Sequence, residues 1–142
     1  MSTRTQIDRF RHFNRFYTNY TGLLGSHLYD SPVNLSEARV LFELDSRPGI
    51  SARDLAARLG LDKGYLSRML RRFVDRGWLA ERHSPDDARA KELRLDEAGT
   101  ALMAELHRAA SDQAKRALAG LSPEDRARLL EAMRVIESVL AK

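Results

Sequence analysis

Apolar residues recur at helical spacing through most of the chain. Over 5–29 they fall at Ile7, Phe10, Phe13, Phe16/Tyr17, Tyr20, Leu23/Leu24 and Leu28, which predicts a first helix with a largely aromatic face. Ser31-Pro32 closes it. Leu35-Ser36-Glu37 opens a short second helix, with Ser36 as the expected N-cap and Val40, Leu41 and Leu44 facing inward. Arg47-Pro48-Gly49 reads as a turn. Ser51 then caps "ARDLAARLG", whose inward side is Leu55, Ala56 and Leu59; Asp54 makes a weak capping box, since Glu or Gln is preferred there. Gly60 ends this helix, and only Leu61 separates it from the next cap, Asp62. That spacing is a helix-turn-helix.

The helix over 63–76 carries Leu66, Met69, Leu70, Phe73 and Val74 on one stripe. Lys63, Ser67, Arg68, Arg71 and Arg72 lie on the opposite face, with Gly64 and Tyr65 in the first turn; Gly77 stops the helix. The period then changes. "WLAERH" and "KELRL" alternate as strands on either side of a charged tip, "SPDDARA". Asp96 caps a long helix to about 119, with Leu102, Leu106, Gln113, Ala117 and Leu121 along one face. At ~1.5 Å per residue it spans about 36 Å, more than a small domain needs for itself. Ser122-Pro123-Glu124 starts the last helix, whose Leu129, Met133, Ile136 and Leu140 repeat at 4-3-4 spacing. That seam and the overlong helix need a partner to bury them, which predicts a homodimer. The fold expected is mainly α with a small β-hairpin: one domain of 142 residues, a winged helix-turn-helix at 35–95 between dimerisation helices at 5–34 and 96–142.

Charge adds a direction to this picture. Residues 51–94 hold 11 Lys/Arg against 7 Asp/Glu, whereas residues 95–142 hold 7 against 8. The basic excess therefore sits beside the helix-turn-helix, where an anionic partner would bind. An α-helix fits the major groove of DNA, and a hairpin tip beside it can reach the minor groove. Ser67 and Arg68 occupy the base-reading end of the helix. Lys63 and Gly64 neighbour them, Gly64 allowing close backbone approach or simply easing the turn. Arg71 and Arg72 suit phosphates, as does Lys91 at the wing. Ser51 either offers a helix N-terminus to phosphate or only caps. Arg89 stands at the wing tip, and Asp87 either pins its guanidinium or braces the loop.

Other chemistry is sparse. With no cysteine, disulfides and thiolate metal sites are excluded. His12, His27, His83 and His107 lack metal-ligand spacing, and no phosphate loop or placed nucleophile is present, so neither a cofactor nor an enzyme activity is expected. The N-terminus has no signal-length apolar run, and no segment approaches the roughly 18 apolar residues of a membrane span, so a cytoplasmic protein is expected. Phe13, Phe16, Tyr17 and Tyr20 invite a ligand-pocket reading beside the commoner one, core or dimer packing.

These residues resemble the MarR family of bacterial transcriptional regulators. The likeness rests on "LSEARVLFEL", on "DLAARLGLDKGYLSRMLRRFVDRGWLAER", and on Asp87-x-Arg89 followed by Leu95 and Gly99. Many members have Thr where this chain has Asp96; both cap helices. The resemblance implies a homodimer with interlocked first and last helices, a pseudo-palindromic double-stranded DNA operator, and a repressor released by a small aromatic or anionic effector. The wording "FNRFYTNY" is most similar to the regulator half of proteins that fuse this domain to a GNAT acetyltransferase. With the chain given as 142 residues, no acetyl transfer is expected of it. The competing function is a winged helix used for protein contacts, regulating a partner such as an acetyltransferase; it predicts an apolar patch where the basic face lies.

Overall fold

The computed structural model describes residues 2–25, 27–86 and 90–141. Its elements are α1 (Thr3–Thr21), a 3-10 turn (Leu28–Asp30), α2 (Leu35–Ser46), α3 (Ala52–Leu59), α4 (Lys63–Asp75), β1 (Leu79–His83), β2 (Lys91–Leu95), α5 (Glu97–Ala119) and α6 (Pro123–Leu140). Two compact units divide the chain, Met1–Leu106 and His107–Lys142, the break falling within α5. No helix among the described residues is long and apolar enough to cross a membrane.

In the first unit, Val33, Val40, Leu41, Leu55, Met69 and Phe73 are fully withdrawn from solvent, and Leu28, Leu44, Leu66, Leu79, Leu93, Leu102, Met103 and Leu106 are nearly so. Several helix ends follow the expected chemistry. The Ser51 and Asp62 side chains accept the Asp54 and Tyr65 backbone N–H groups at 3.1 and 3.0 Å. Gly60 takes the left-handed φ of 63° that ends α3. The Asp96 carboxylate accepts the Gly99 N–H at 3.1 Å.

Four expectations need correction. The first helix ends at Thr21, because Gly22 turns left-handed at φ 61° and returns its N–H to the Thr18 carbonyl. The Leu28 expected on that helix is buried from a separate turn, in which Tyr29 and Asp30 also take left-handed φ values of 52° and 60°. Such backbone disfavours residues with a Cβ by about 1–2 kcal/mol. It is held by the Leu28 N–H on the Val33 carbonyl at 2.7 Å and by burial of both side chains. The N-cap of α2 is Asn34, not Ser36. Asn34 Oδ1 accepts the Glu37 N–H at 2.9 Å and Glu37 Oε1 accepts the Asn34 N–H at 3.1 Å, a complete capping box that Ser36 could not form one residue inside the helix. Finally, Val74 at the edge of the α4 stripe remains 40% exposed.

The hairpin pairs antiparallel from Leu79↔Leu95 to His83↔Lys91. It does not hang free. The Gly49 N–H donates to the Leu93 carbonyl at 2.9 Å and the Leu93 N–H to the Ile50 carbonyl at 3.0 Å, so the residue before Ser51 bridges to β2. The hairpin's open end is closed at Trp78, whose carbonyl accepts the Asp96 N–H at 2.9 Å. Gly99 packs against that same carbonyl.

In the second unit no α6 side chain is buried. Leu129, Ile136 and Leu140 of the 4-3-4 seam stand exposed, as do Leu130, Val135 and Val139; Met133 is half-buried. Arg134 grips Glu131 through two hydrogen bonds of 3.0 and 2.6 Å, and this guanidinium holds the Glu131 carboxyl below the ordinary carboxylate range.

A Cβ on Gly99 would lie 2.2 Å from the Trp78 carbonyl oxygen, an atom of the backbone that cannot rotate away. Gly99→Ala is expected to destabilise the protein by about 1–3 kcal/mol in urea unfolding. Gly120→Ala, where the nearest atom to a new Cβ is 3.9 Å away, is the control and should be neutral or slightly stabilising.

Candidate nucleic-acid interface

The burial of Leu66, Met69, Leu70 and Phe73 sets the rotation of α4 about its axis. Lys63, Ser67, Arg68 and Arg71 consequently stand exposed on the outer side. Lys63, Ser67 and Arg71 have no hydrogen-bond or ion-pair partner among the described residues. Arg68 folds back over the first turn, its Nη1 lying 3.3 Å from where a Gly64 Cβ would stand. The missing side chain at Gly64 thus makes room for a guanidinium at the helix N-terminus, a role sequence spacing did not suggest.

The remaining predicted positions are more committed. Ser51 uses its hydroxyl as the α3 cap. Lys91 Nζ lies 3.4 Å from Glu81 Oε2 across the hairpin, an exposed pair that solvent screens. Arg72 Nη2 lies 3.8 Å from Glu37 Oε2 on α2. The base of the wing is closed by the Ser84 N–H on the Ala90 carbonyl at 2.8 Å. Asp87 and Arg89, the predicted tip residues, lie outside the described residues. Arg53, not singled out by sequence spacing, adds an exposed guanidinium in the first turn of α3 without a partner among the described residues; the available signal was its place two residues after the cap.

The four aromatic residues of α1 expected as ligand contacts are all exposed: Phe13 36%, Phe16 59%, Tyr17 42% and Tyr20 63%. They stack on one another, with ring centroids of Phe13–Tyr17 at 5.7 Å, Phe16–Tyr20 at 6.2 Å and Tyr17–Tyr20 at 6.4 Å. The open concavity beside this helix is lined instead by its polar face, including Asn14, Arg15, Thr18 and Asn19. Among the described residues no cluster of three or more His, Asp or Glu could hold a metal ion.

Comparison with known proteins adds to this geometry. The MarR family matches residues 31–90. The multiple antibiotic resistance protein MarR of Escherichia coli strain K12 is 29% identical over 85 residues, which is 60% of this chain and 59% of that protein. The chain thus spans about three fifths of that relative's length. The HTH-type transcriptional regulator BilQ of Clostridium symbiosum is 25% identical over 114 residues, 80% of this chain and 79% of its own. The crystal structure of a mutant E. coli MarR complexed with operator DNA shares the fold, with a TM-score of 0.69 at 22% identity over 96% of this chain and 99% of that one.

Gly64→Ala separates local stability from surface chemistry. Alanine favours helix, so thermal unfolding should shift upward, by up to about 1 kcal/mol in stability. A new Cβ would meet two atoms at 3.3 Å: Arg68 Nη1, at the far end of a flexible side chain that can move aside, and Asp62 Oδ2, the oxygen that caps α4 by accepting the Tyr65 N–H. A lowered melting temperature would mean that Gly64 serves the Asp62 cap and not only Arg68.

Proposed function

We propose that this chain, whose residues 31–90 match the MarR family, is a MarR-type double-stranded-DNA-binding transcriptional regulator, a homodimeric repressor that reads a pseudo-palindromic operator with α4. The observation that carries this reading is the outer face of α4: Lys63, Ser67, Arg68 and Arg71, exposed and without an ion-pair partner among the described residues, on a helix whose opposite stripe is locked in the core. A helix so presented fits a major groove; Arg68 and Ser67 read base edges, and Lys63 and Arg71 take phosphates. Ser51 and Arg53 at the start of α3, Lys91 at the wing and the Asp87–Arg89 tip extend the footprint. The competing protein-contact reading calls for an apolar patch on this face, and its cationic side chains do not suit it.

The exposed apolar faces of α1 and α6 support the dimer, since water-exposed stripes of this length are normally covered. We assign residues 35–95 to DNA binding and 5–34 with 96–142 to dimerisation. A small aromatic or anionic effector, with Phe13, Phe16, Tyr17 and Tyr20 as candidate contacts, completes the reading. The protein works in the cytoplasm, without cofactor or catalysis.

A mobility shift on the DNA upstream of its own coding sequence tests the proposal, and half-site centres should lie about 10 base pairs apart. If a dimer neutralises roughly 6–10 phosphates, log affinity should fall against log salt with a slope of about −5 to −9; a slope near zero rejects DNA binding. Arg68→Ala should cost about 1–3 kcal/mol and relax preference at one base position. Arg89→Ala should weaken binding by about 1–2 kcal/mol, most with A·T-rich flanks, as judged by binding-site selection. Light scattering at micromolar concentration should return the dimer mass.

A further inference from the structure

Arg72 belongs to the basic residues of α4 by sequence, but its guanidinium is turned to the flank of the helix, toward α2. There Nη2 lies 3.8 Å from Glu37 Oε2. Glu37 is the buried charged residue of the described chain, its side chain 11% exposed against 49% for Arg72. Its other oxygen is committed: Oε1 accepts the Asn34 N–H at 3.1 Å, closing the α2 capping box. Oε2 is thereby directed at α4. One turn further along, Arg76 Nη1 donates to the Pro32 carbonyl at 3.4 Å while its guanidinium stacks over the Trp78 ring, 5.1 Å from the centroid. Two arginines of one helix flank thus hold the segment 32–37. That segment is a firm platform, because Leu28 and Val33 beside it are buried in the core.

We propose that Glu37 is a positioning residue for DNA binding: it holds Arg72 against α2, and this pair, with the Arg76–Pro32 bond, fixes the pose of α4, so that Arg72 acts as a brace and not as a phosphate ligand. The assignment rests on the DNA-binding reading above. The physical reason is the asymmetry of burial. If Arg72 swung out to a phosphate, it would gain a screened, solvent-exposed contact and leave a mostly buried carboxylate without its counter-charge, which is the costlier state. Arg71 has no such tie among the described residues and remains available to phosphate.

The test measures DNA affinity of the full chain across a salt series for wild type, Glu37→Gln, Arg72→Ala, Arg72→Met and Arg71→Ala, with circular dichroism melts to verify folding. Glu37→Gln keeps an acceptor for the Asn34 N–H and removes the charge; Arg72→Met keeps the aliphatic stem. A brace predicts that Glu37→Gln and both Arg72 variants weaken binding about 5- to 20-fold at every salt concentration with the wild-type slope. The double variant Glu37→Gln/Arg72→Ala should be no weaker than either single one. Arg71→Ala should flatten the slope by about 1 for each phosphate it leaves without a cation. The assignment is overturned if the Arg72 variants flatten the slope as Arg71→Ala does, if Glu37→Gln binds more tightly with a steeper slope, or if folded variants match wild-type affinity. Should Glu37→Gln fail to fold, the Arg72→Met slope decides alone. A wild type that binds no DNA removes the DNA reading and this assignment together, whereas a binding wild type with unaltered variants removes only this one.

Discussion

Leu66, Met69, Leu70 and Phe73 are each almost wholly withdrawn from water on one side of α4, and the direction of every other side chain on that helix follows from theirs. Burying an aliphatic or aromatic side chain of this size contributes about 1.5–3 kcal/mol, whereas an exposed ion pair contributes about 0–1 kcal/mol. Four burials therefore set the rotation of the helix against any preference of its charges. Lys63, Ser67, Arg68 and Arg71 point outward because the stripe behind them points inward. The cationic face is a by-product of core packing, and a change in the core would turn it.

The hairpin shares this dependence. Two strands alone are marginal in water. Here Leu93 is buried and its backbone N–H and C=O both bond to the Gly49–Ile50 segment, so β2 is tied to the residue that precedes the α3 cap. At the hairpin's open end the Trp78 carbonyl accepts the Asp96 N–H and lies against Gly99. The wing is thus tied to the Gly49–Ile50 segment at the middle of its second strand, and to α4 at its first strand's entry, where the Trp78 N–H donates to the Phe73 carbonyl at 2.9 Å.

The terminal helices obey a different balance. No side chain of α1 or of α6 is buried, although each carries a stripe of large apolar residues. The aromatic rings of α1 reduce their exposure only by stacking on one another. A helix of this kind gains little from its own chain, and its stability depends on whatever covers the stripe. Dimerisation and folding of these helices are therefore coupled in the proposed regulator, and protein concentration enters its apparent stability.

Most of the local structure was legible in the sequence, because helix periodicity, caps and the alternation of the hairpin are written in near neighbours. Ser51, Gly60, Asp62, Gly77, Asp96 and Ser122 each mark a boundary through a bond or a backbone angle spanning a few residues. The order of elements and the outward cations of α4 followed from those signals alone. Asn34 prevailed over Ser36 as a cap through an equally local signal, its reciprocal bonds with Glu37 three residues on. Tertiary structure decided what depends on distant partners. Leu28 left the first helix to enter the core, at the expense of left-handed backbone at Tyr29 and Asp30. Ile50 joined the hairpin, Gly99 came to lie against a carbonyl 21 residues before it, and Arg72, still half exposed, came to lie 3.8 Å from Glu37, 35 residues away. Periodicity tells which face of a helix is polar; only packing tells which polar group on that face already has a partner.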